Sequence, residues 1–232
     1  EEVIFSCISS LPKESKKIII ENSNNITLKK KLELKYDNIE VLINKNLGMG
    51  ASNNIGISKA KTDYVYILNP DTKFKNDTFH NLVQAASKLE DFAIISPLCS
   101  DRNFPNYKIL KTKNNINNDI IEVDTIDGFS MLINKHKFNN KFFDENIFLY
   151  LENDDICFRA RKQKDKIYVI KNSIIDHLGS SSTKIINDEE FEYLRNWHWM
   201  WSKFYFNKKH YGKINSFFII LPHLISAACK FM

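Results

Sequence analysis

Four cysteines in 232 residues, Cys7, Cys99, Cys157 and Cys229, stand far apart and form no C-x-x-C pair. That spacing argues against a disulfide framework or a thiolate zinc site and for reduced thiols in a cytosolic compartment. No signal-peptide pattern opens the chain. There is no internal repeat, no long disordered tail and no fold signature of a nucleic-acid binder, so nucleic acid is not an expected partner. The longest apolar stretch, "INSFFIILPHLISAACKFM", is interrupted by Pro222 and His223 and is marginal against the ~20 apolar residues of a membrane span. Charge of one sign is also in short supply: the net value is +5, a modest excess compatible with phosphate ligands or an anionic membrane surface.

What is present suffices for a core. Hydrophobic residues make up 43% of the chain and charged residues 26%, ordinary proportions for a soluble protein of one large domain or one domain plus an appendage. Val3, Ile4, Cys7, Ile8 and Leu11 recur at helical spacing until Pro12. "KKIIIENSNN" reads as a buried strand closing in a polar turn, "ITLKKKLELKY" as a helix and "IEVLINKN" as a second strand. A glycine-containing loop and helix, the strand "DYVYILNPDT", a helix over 77–89 and the strand "FAIISP" follow. Strand and helix alternate with short connections, which predicts an α/β layer with a parallel sheet. Beyond Pro97 the chain turns polar and Asn-rich, then gives the strand "GFSMLINKHKF", the short helix "NDDICFRARKQ" and two strands, "KIYVI" and "SIIDHL". From Asp188 it is helical and aromatic.

Three places are unusual for their chemistry. In "YVYILNPDTKF" an apolar strand ends at Asn69-Pro70-Asp71. Proline makes a stiff exit, and ligands of open α/β sheets bind beyond the carboxyl ends of strands. Asp71 there can hold a hard cation or simply cap the next helix. In "FLYLENDDICFRAR", Glu152, Asn153, Asp154 and Asp155 follow an apolar run. Three carboxylates so close repel one another. Helix capping accounts for the aspartates, with Arg159 and Arg161 further along, but poorly for Glu152. In "DHLGSSST", His177 precedes a small-residue loop suited to phosphate, although a lone histidine is commonly structural. "NLGMGASNNIG" adds Gly48, Gly50 and Gly56 before a helix start at Asn53 and Asn54, a tight turn or an anion site. Its spacing is not that of the dinucleotide fingerprint.

Taken in order, N-x-G-x-G-x-x-N-N-x-G, N-P-D, G-x-x-M-L-I, E-N-D-D-I-C-x-R and H-L-G-S-S-S resemble the family 2 glycosyltransferases, and within them the bacterial rhamnosyltransferase branch most of all. The resemblance covers nearly the whole chain. It implies a GT-A fold, a Rossmann-like mixed, mainly parallel sheet flanked by helices, and an inverting enzyme. Its donor would be a nucleotide-diphospho-sugar and its cofactor a divalent metal, Mg²⁺ or Mn²⁺. Asn69-Pro70-Asp71 stands where the family has D-x-D, leaving Asp71 as the metal's carboxylate, with His177 nearby. Glu152 takes the leading place of the base motif, Asn153 stands where many relatives carry Asp, and Asp154 and Asp155 are fallbacks. Glu21, Asn22 and Ser23 match the D-N-x-S turn that meets the nucleobase. Asn46, Gly48, Gly50, Asn53, Asn54, Asn69, Ser180 and Ser181 complete the donor side, and Asp127 and Gly128 line the acceptor side.

The family opens with a strand that this chain lacks before its first helix. The resemblance therefore implies unpaired ladder groups and weak donor binding by residues 1–232 alone. Residues 1–186 are read as the catalytic domain, with 1–97 the nucleotide-sugar half and 98–186 the acceptor half. Residues 187–232 are read as a helical membrane-associating segment. There "FEYLRNWHWMWSKFYFNKKHYG" sets Leu194, Trp197, Trp201, Phe204 and Lys208 at helical spacing. Aromatic rings with interleaved lysines suit an anionic interface; simple packing on the catalytic domain is the alternative. The expected setting is the inner face of a bacterial plasma membrane, with a glycan or lipid-linked saccharide as acceptor. A sugar-phosphate nucleotidyltransferase and a non-catalytic nucleotide-sugar-binding scaffold are the competing readings.

Overall fold

The computed structural model describes residues 1–89, 91–110, 119–179 and 189–230. Helix α1 (Glu2–Ser10) leads to strand β1 (Lys17–Glu21), α2 (Ile26–Lys35) and β2 (Ile39–Ile43). The β-branched run of β1 favours strand, and β1 and β2 pair in parallel. Leu32 of α2 and Ile8 of α1 cover them, packing with Val41 in a small core of their own. Asn25 starts α2, its side chain accepting from the Leu28 N–H at 2.9 Å. Helix α3 (Met49–Lys59) then returns the chain to β3 (Tyr64–Leu68).

A six-stranded sheet forms the centre. Its elements are β3, β4 (Thr72–Phe74), β5 (Ile94–Cys99), β7 (Ile120–Glu122), β9 (Ser130–Asn134) and β10 (Ile167–His177). The order is β3-β9-β5-β10-β4, with β7 also on β10. β5 and β10 pair in parallel, and β9 is inserted antiparallel between β3 and β5. β3, β5 and β10 therefore run the same way in a mixed α/β sheet. Helices α4 (Thr78–Lys88) and α5 (Glu152–Lys162) cover it, and β6 (Tyr107–Lys108) and β8 (Thr125–Ile126) form a small ribbon beside α5. Ile57, Ile94, Ile133, Ile156 and Val169 are among the fully enclosed residues of the main core. Among the described residues, β1 pairs only with β2 and β3 only with β9, so one edge of each carries no ladder partner.

The segments "KIYVI" and "SIIDHL" are one strand, not two. β10 runs unbroken from Ile167 to His177 with a shift of register between Ile170 and Ile174. The polar Lys171 and Asn172 are absorbed as an irregularity that bends the strand without ending it. The three-residue β4, too short to read from sequence, pairs antiparallel with the far end of β10 and sets Thr72 opposite His177. That pairing brings Asp71 and His177 together. Helix α6 (Glu189–Tyr211) and helix α7 (Lys213–Lys230) close the chain as a hairpin hinged at Gly212, whose φ is +91°.

Candidate active site

The end of β3 and the end of β10 meet at Asp71 and His177. Asn69 is held by its N–H donating to the Phe129 carbonyl at 2.9 Å, and the Leu178 N–H donates to the Asp71 carbonyl at 2.9 Å. Asp71 is 2% exposed. It caps no helix, because Asp77 occupies the N-cap of α4. Its Oδ1 is buried without a hydrogen-bond partner and lies 3.6 Å from His177 Nε2. The imidazole itself is stacked on Phe129, with ring centroids 4.0 Å apart. A buried carboxylate oxygen without a proton donor is costly, and a bare oxygen facing an imidazole nitrogen fits the donor set of a divalent cation. Among the described residues no third His, Cys, Asp or Glu joins this pair as a metal ligand.

Across the cleft α5 presents the acidic motif. Glu152 is 5% exposed and its Oε2 has no partner. Burial pushes its carboxyl up to about 7, and Asp154 adds to the rise against the helix's own N–H. Asp154 and Asp127 are also raised, first by burial; each is opposed by Lys108, and Asp127 feels both Asp154 and His177. Electrostatic influence runs from His177 to Asp127, from Asp127 to Asp154 and from Asp154 to Glu152. Gly128 lets α3 and α5 approach closely: a Cβ there would lie 2.8 Å from Met49 Cε and 3.3 Å from Asn153 Cβ. Asn153 is fixed by its Nδ2 donating to the Ile126 carbonyl at 2.9 Å.

The sequence profile of Glycosyl transferase family 2 matches residues 1–150. The chain belongs to glycosyltransferase family 2. No curated protein sequence matches it. Among solved structures this family 2 chain resembles GalNAc-T7 with UDP, GalNAc and Mn²⁺, at a TM-score of 0.60 and 16% identity, over 75% of this chain and 40% of that one. It also resembles the mannosyltransferase PcManGT from Pyrobaculum calidifontis in complex with GDP-Man and Mn²⁺, at 0.61 and 9%, over 87% and 59%. The inositol-1-phosphate CTP transferase from T. maritima follows at 0.53 and 15%, over 84% and 82%. Identities this low are a likeness of fold, and the fold is that of the GT-A glycosyltransferases. The chain spans well under two thirds of the length of both glycosyltransferases.

The structure gives several motif residues of the family 2 chain duties that their types did not announce. Asp155 is fully buried and turned away from the cleft. It receives Arg159 Nε at 2.9 Å, Lys209 Nζ at 2.7 Å and His210 Nε2 at 2.8 Å. Burial opposes its ionisation, but those three donors hold it below the usual carboxylate range, so it is no reserve base. Glu21 is likewise occupied. Its Oε1 accepts from the Ser23 N–H at 2.8 Å and the Ser23 hydroxyl at 2.6 Å, and its Oε2 accepts from the Asn25 N–H. The carboxylate thus shapes the turn instead of projecting from it. Asn54 is spent on the 143–145 segment, with Oδ1 accepting from the Phe143 N–H and Nδ2 donating to the Phe143 carbonyl, both at 2.9 Å.

Glycine at 48 and 50 serves contact within the chain. Gly48 has φ +92°, and a Cβ there would fall 2.3 Å from the Phe148 carbonyl oxygen; one at Gly50 would lie 3.1 Å from Phe143 Cβ and 3.7 Å from Glu152 Cβ. Asn46 tightens the same turn, its Oδ1 accepting from the Gly48 N–H at 3.2 Å. The Nδ2 of Asn53 is buried without a partner.

Beside this turn lies a cavity of about 680 Å³ lined by Asn22, Ser23, Asn24, Ile43, Asn44, Lys45 and Asn46. Asn22 Oδ1 accepts from Ser52 Oγ at 2.9 Å. Asn44 and Lys45 were missed as candidates from sequence; their signal is the polar run closing "IEVLINKN". Ser180 and Ser181 lie outside the described residues.

Proposed function

We propose that the chain is an inverting hexosyltransferase that moves a sugar from a nucleotide-diphospho-sugar to a hydroxyl of a glycan or lipid-linked saccharide. The observation that carries this reading is Glu152: a buried carboxyl pushed up to about 7, with one oxygen unsatisfied, electrostatically linked through Asp154 and Asp127 to His177. In the reaction the acceptor oxygen attacks the anomeric carbon, the bond from that carbon to the diphosphate oxygen breaks, and the acceptor proton passes to Glu152. The nucleoside diphosphate leaves with the bonding pair. General-base help of this kind is worth ~10²–10⁴-fold.

Asp71 Oδ1 and His177 Nε2 would hold Mg²⁺ or Mn²⁺, which when bound offsets charge on the diphosphate. The Asn-lined cavity takes the nucleobase end of the donor, with Asn22, Asn44 and Asn46 as its polar contacts. Asp127, Gly128 and Asp154 face the acceptor. The branch resembled suggests dTDP-rhamnose as donor, in bacterial surface polysaccharide synthesis.

The C-terminal hairpin supports a peripheral membrane role at the cytoplasmic face. Ile214, Phe217, Phe218 and Ile225 form an exposed apolar stripe on α7, and Trp197 and Trp201 are exposed on α6. Lys208 and Lys213 flank them in the open, a pattern suited to anionic lipid headgroups. No helix of the described residues is long and apolar enough to cross a membrane.

Incubation with a panel of nucleotide sugars, Mn²⁺ and saccharide acceptors tests the reading. The expected product is nucleoside diphosphate together with an extended acceptor. Release of pyrophosphate would instead indicate a nucleotidyltransferase, and donor binding without turnover a non-catalytic scaffold.

A further inference from the structure

Glu152 enters α5 from an unusual turn. Tyr150 and Leu151 both have φ +68°, a left-handed conformation that bulky L-residues rarely adopt and keep only when their surroundings hold them there. The surroundings come from α6. Ser202, fully buried, donates its hydroxyl to the Leu149 carbonyl at 2.7 Å. Arg195 Nε donates to the Tyr150 phenol oxygen at 2.8 Å. Lys209 Nζ donates to both Asp144 Oδ2 and Asp155 Oδ1 at 2.7 Å. Arg195, Ser202 and Lys209 follow one another at intervals of seven residues and so share one helix face. That face touches the chain just before, at and just after the turn, while Gly48 closes on Phe148 from the other side. The hairpin lies beyond the residues that the family profile matches.

We propose that Arg195, Ser202 and Lys209 are positioning residues that make α6 the back wall of the catalytic turn, holding Tyr150 and Leu151 so that Glu152 stays aimed into the dry cleft. This rests on the reading of Glu152 as the base. Loss of the wall lets the turn relax toward ordinary dihedrals and admits water to the carboxyl, which burial first and Asp154 second keep raised.

The test is a carbon-13 NMR titration of the Glu152 carboxyl in the wild-type chain, in Tyr150→Phe, in Ser202→Ala and in Arg195→Met/Ser202→Ala, beside steady-state kinetics. Circular dichroism selects the variants that keep the wild-type fold, and Tyr150→Phe removes only the acceptor of Arg195. The expected result is a fall of about one unit or more in the Glu152 midpoint of the double variant. Its kcat should fall about tenfold with donor KM within about twofold, and Arg195→Lys/Ser202→Ala, which keeps a donor at 195, should recover part of both. Folded variants that lower the melting temperature but leave the midpoint and kcat at wild-type values would overturn the proposal. Failure of the base reading shows separately, as wild-type turnover in Glu152→Gln, and leaves the titration result standing.

Discussion

His177 Nε2 lies 3.6 Å from the buried Asp71 Oδ1, although the two residues are far apart in the chain. The antiparallel pairing of β4 with β10 makes that neighbourhood, through the register Thr72 to His177. If the pair holds a divalent cation, Asp71→Asn should weaken Mn²⁺ binding by about tenfold or more. Titration of Mn²⁺ followed by electron paramagnetic resonance, with nucleoside diphosphate present, measures it. Equal Mn²⁺ affinity in wild type and Asp71→Asn would remove the pair from that role.

Glu152 should impose its own ionisation on turnover. As a base it works deprotonated, so kcat should rise with pH through about 7, the value to which burial lifts it. Glu152→Gln should retain donor affinity and lose ~10²–10⁴-fold in kcat; a flat pH profile would point to another base.

The same burial has a thermodynamic consequence. The folded carboxyl binds its proton more tightly than the unfolded one, whose ordinary value is 4.5. Stability linked to this group is therefore full below 4.5 and declines as pH rises to about 7. Above that, Glu152→Gln should be more stable than wild type by about 3 kcal/mol. Denaturant unfolding at pH 5 and pH 8 reads this directly, and the advantage should be small at the lower pH and near its full size at the higher.

Asp155 should matter to stability more than to chemistry. Its carboxylate ties Arg159 of α5 to Lys209 and His210 of α6. Removing one member of a buried ion cluster leaves the others uncompensated, at a cost of about 3–5 kcal/mol. Asp155→Ala should lower the melting temperature strongly. Because the carboxyl is depressed below its usual 3.8, the wild-type contribution is present above that value and disappears as pH falls through the folded pKa. A melting temperature equal to wild type at neutral pH would contradict the cluster's role.

The α7 stripe predicts reversible lipid binding. The chain should co-sediment with anionic vesicles and less with neutral ones, and added salt should weaken the interaction. Phe217→Glu and Phe218→Glu alter side chains that are 52% and 64% exposed, so the fold should persist while binding is lost. A wild-type chain that stays in the supernatant would favour plain packing of the hairpin on the catalytic domain.

Much of this was legible in the residues. The alternation of β-branched runs with helical periods marks β1, α2, β2 and β3 near their observed limits, because local pattern and tertiary burial agree there. Helix α3 begins at Met49, a turn before the start that Asn53 and Asn54 suggest, because Gly48 is its N-cap. The ordered motifs identified the family. What sequence hid was direction. Asp154 and Asp155 are adjacent, yet one helical step turns the first to the cleft and the second to α6, whose Lys209 and His210 lie far along the chain. Glu21 looked free because two of its captors, the Ser23 and Asn25 N–H groups, are backbone donors with no residue signature, and the third is the Ser23 hydroxyl of its own turn. The heptad Arg195, Ser202, Lys209 was visible in spacing but overshadowed by the aromatic stripe of the same helix. β4 is too short to carry a period at all.

The central claim is that a sugar nucleotide is turned over in the cleft shared by Asp71, His177 and Glu152. It is tested most directly by the rate of nucleoside diphosphate release from millimolar nucleotide sugar with Mn²⁺ and acceptor, compared between wild type and Glu152→Gln. The expected result is release by the wild-type chain and a loss of about a hundredfold or more in the variant. Equal rates in the two proteins would contradict it.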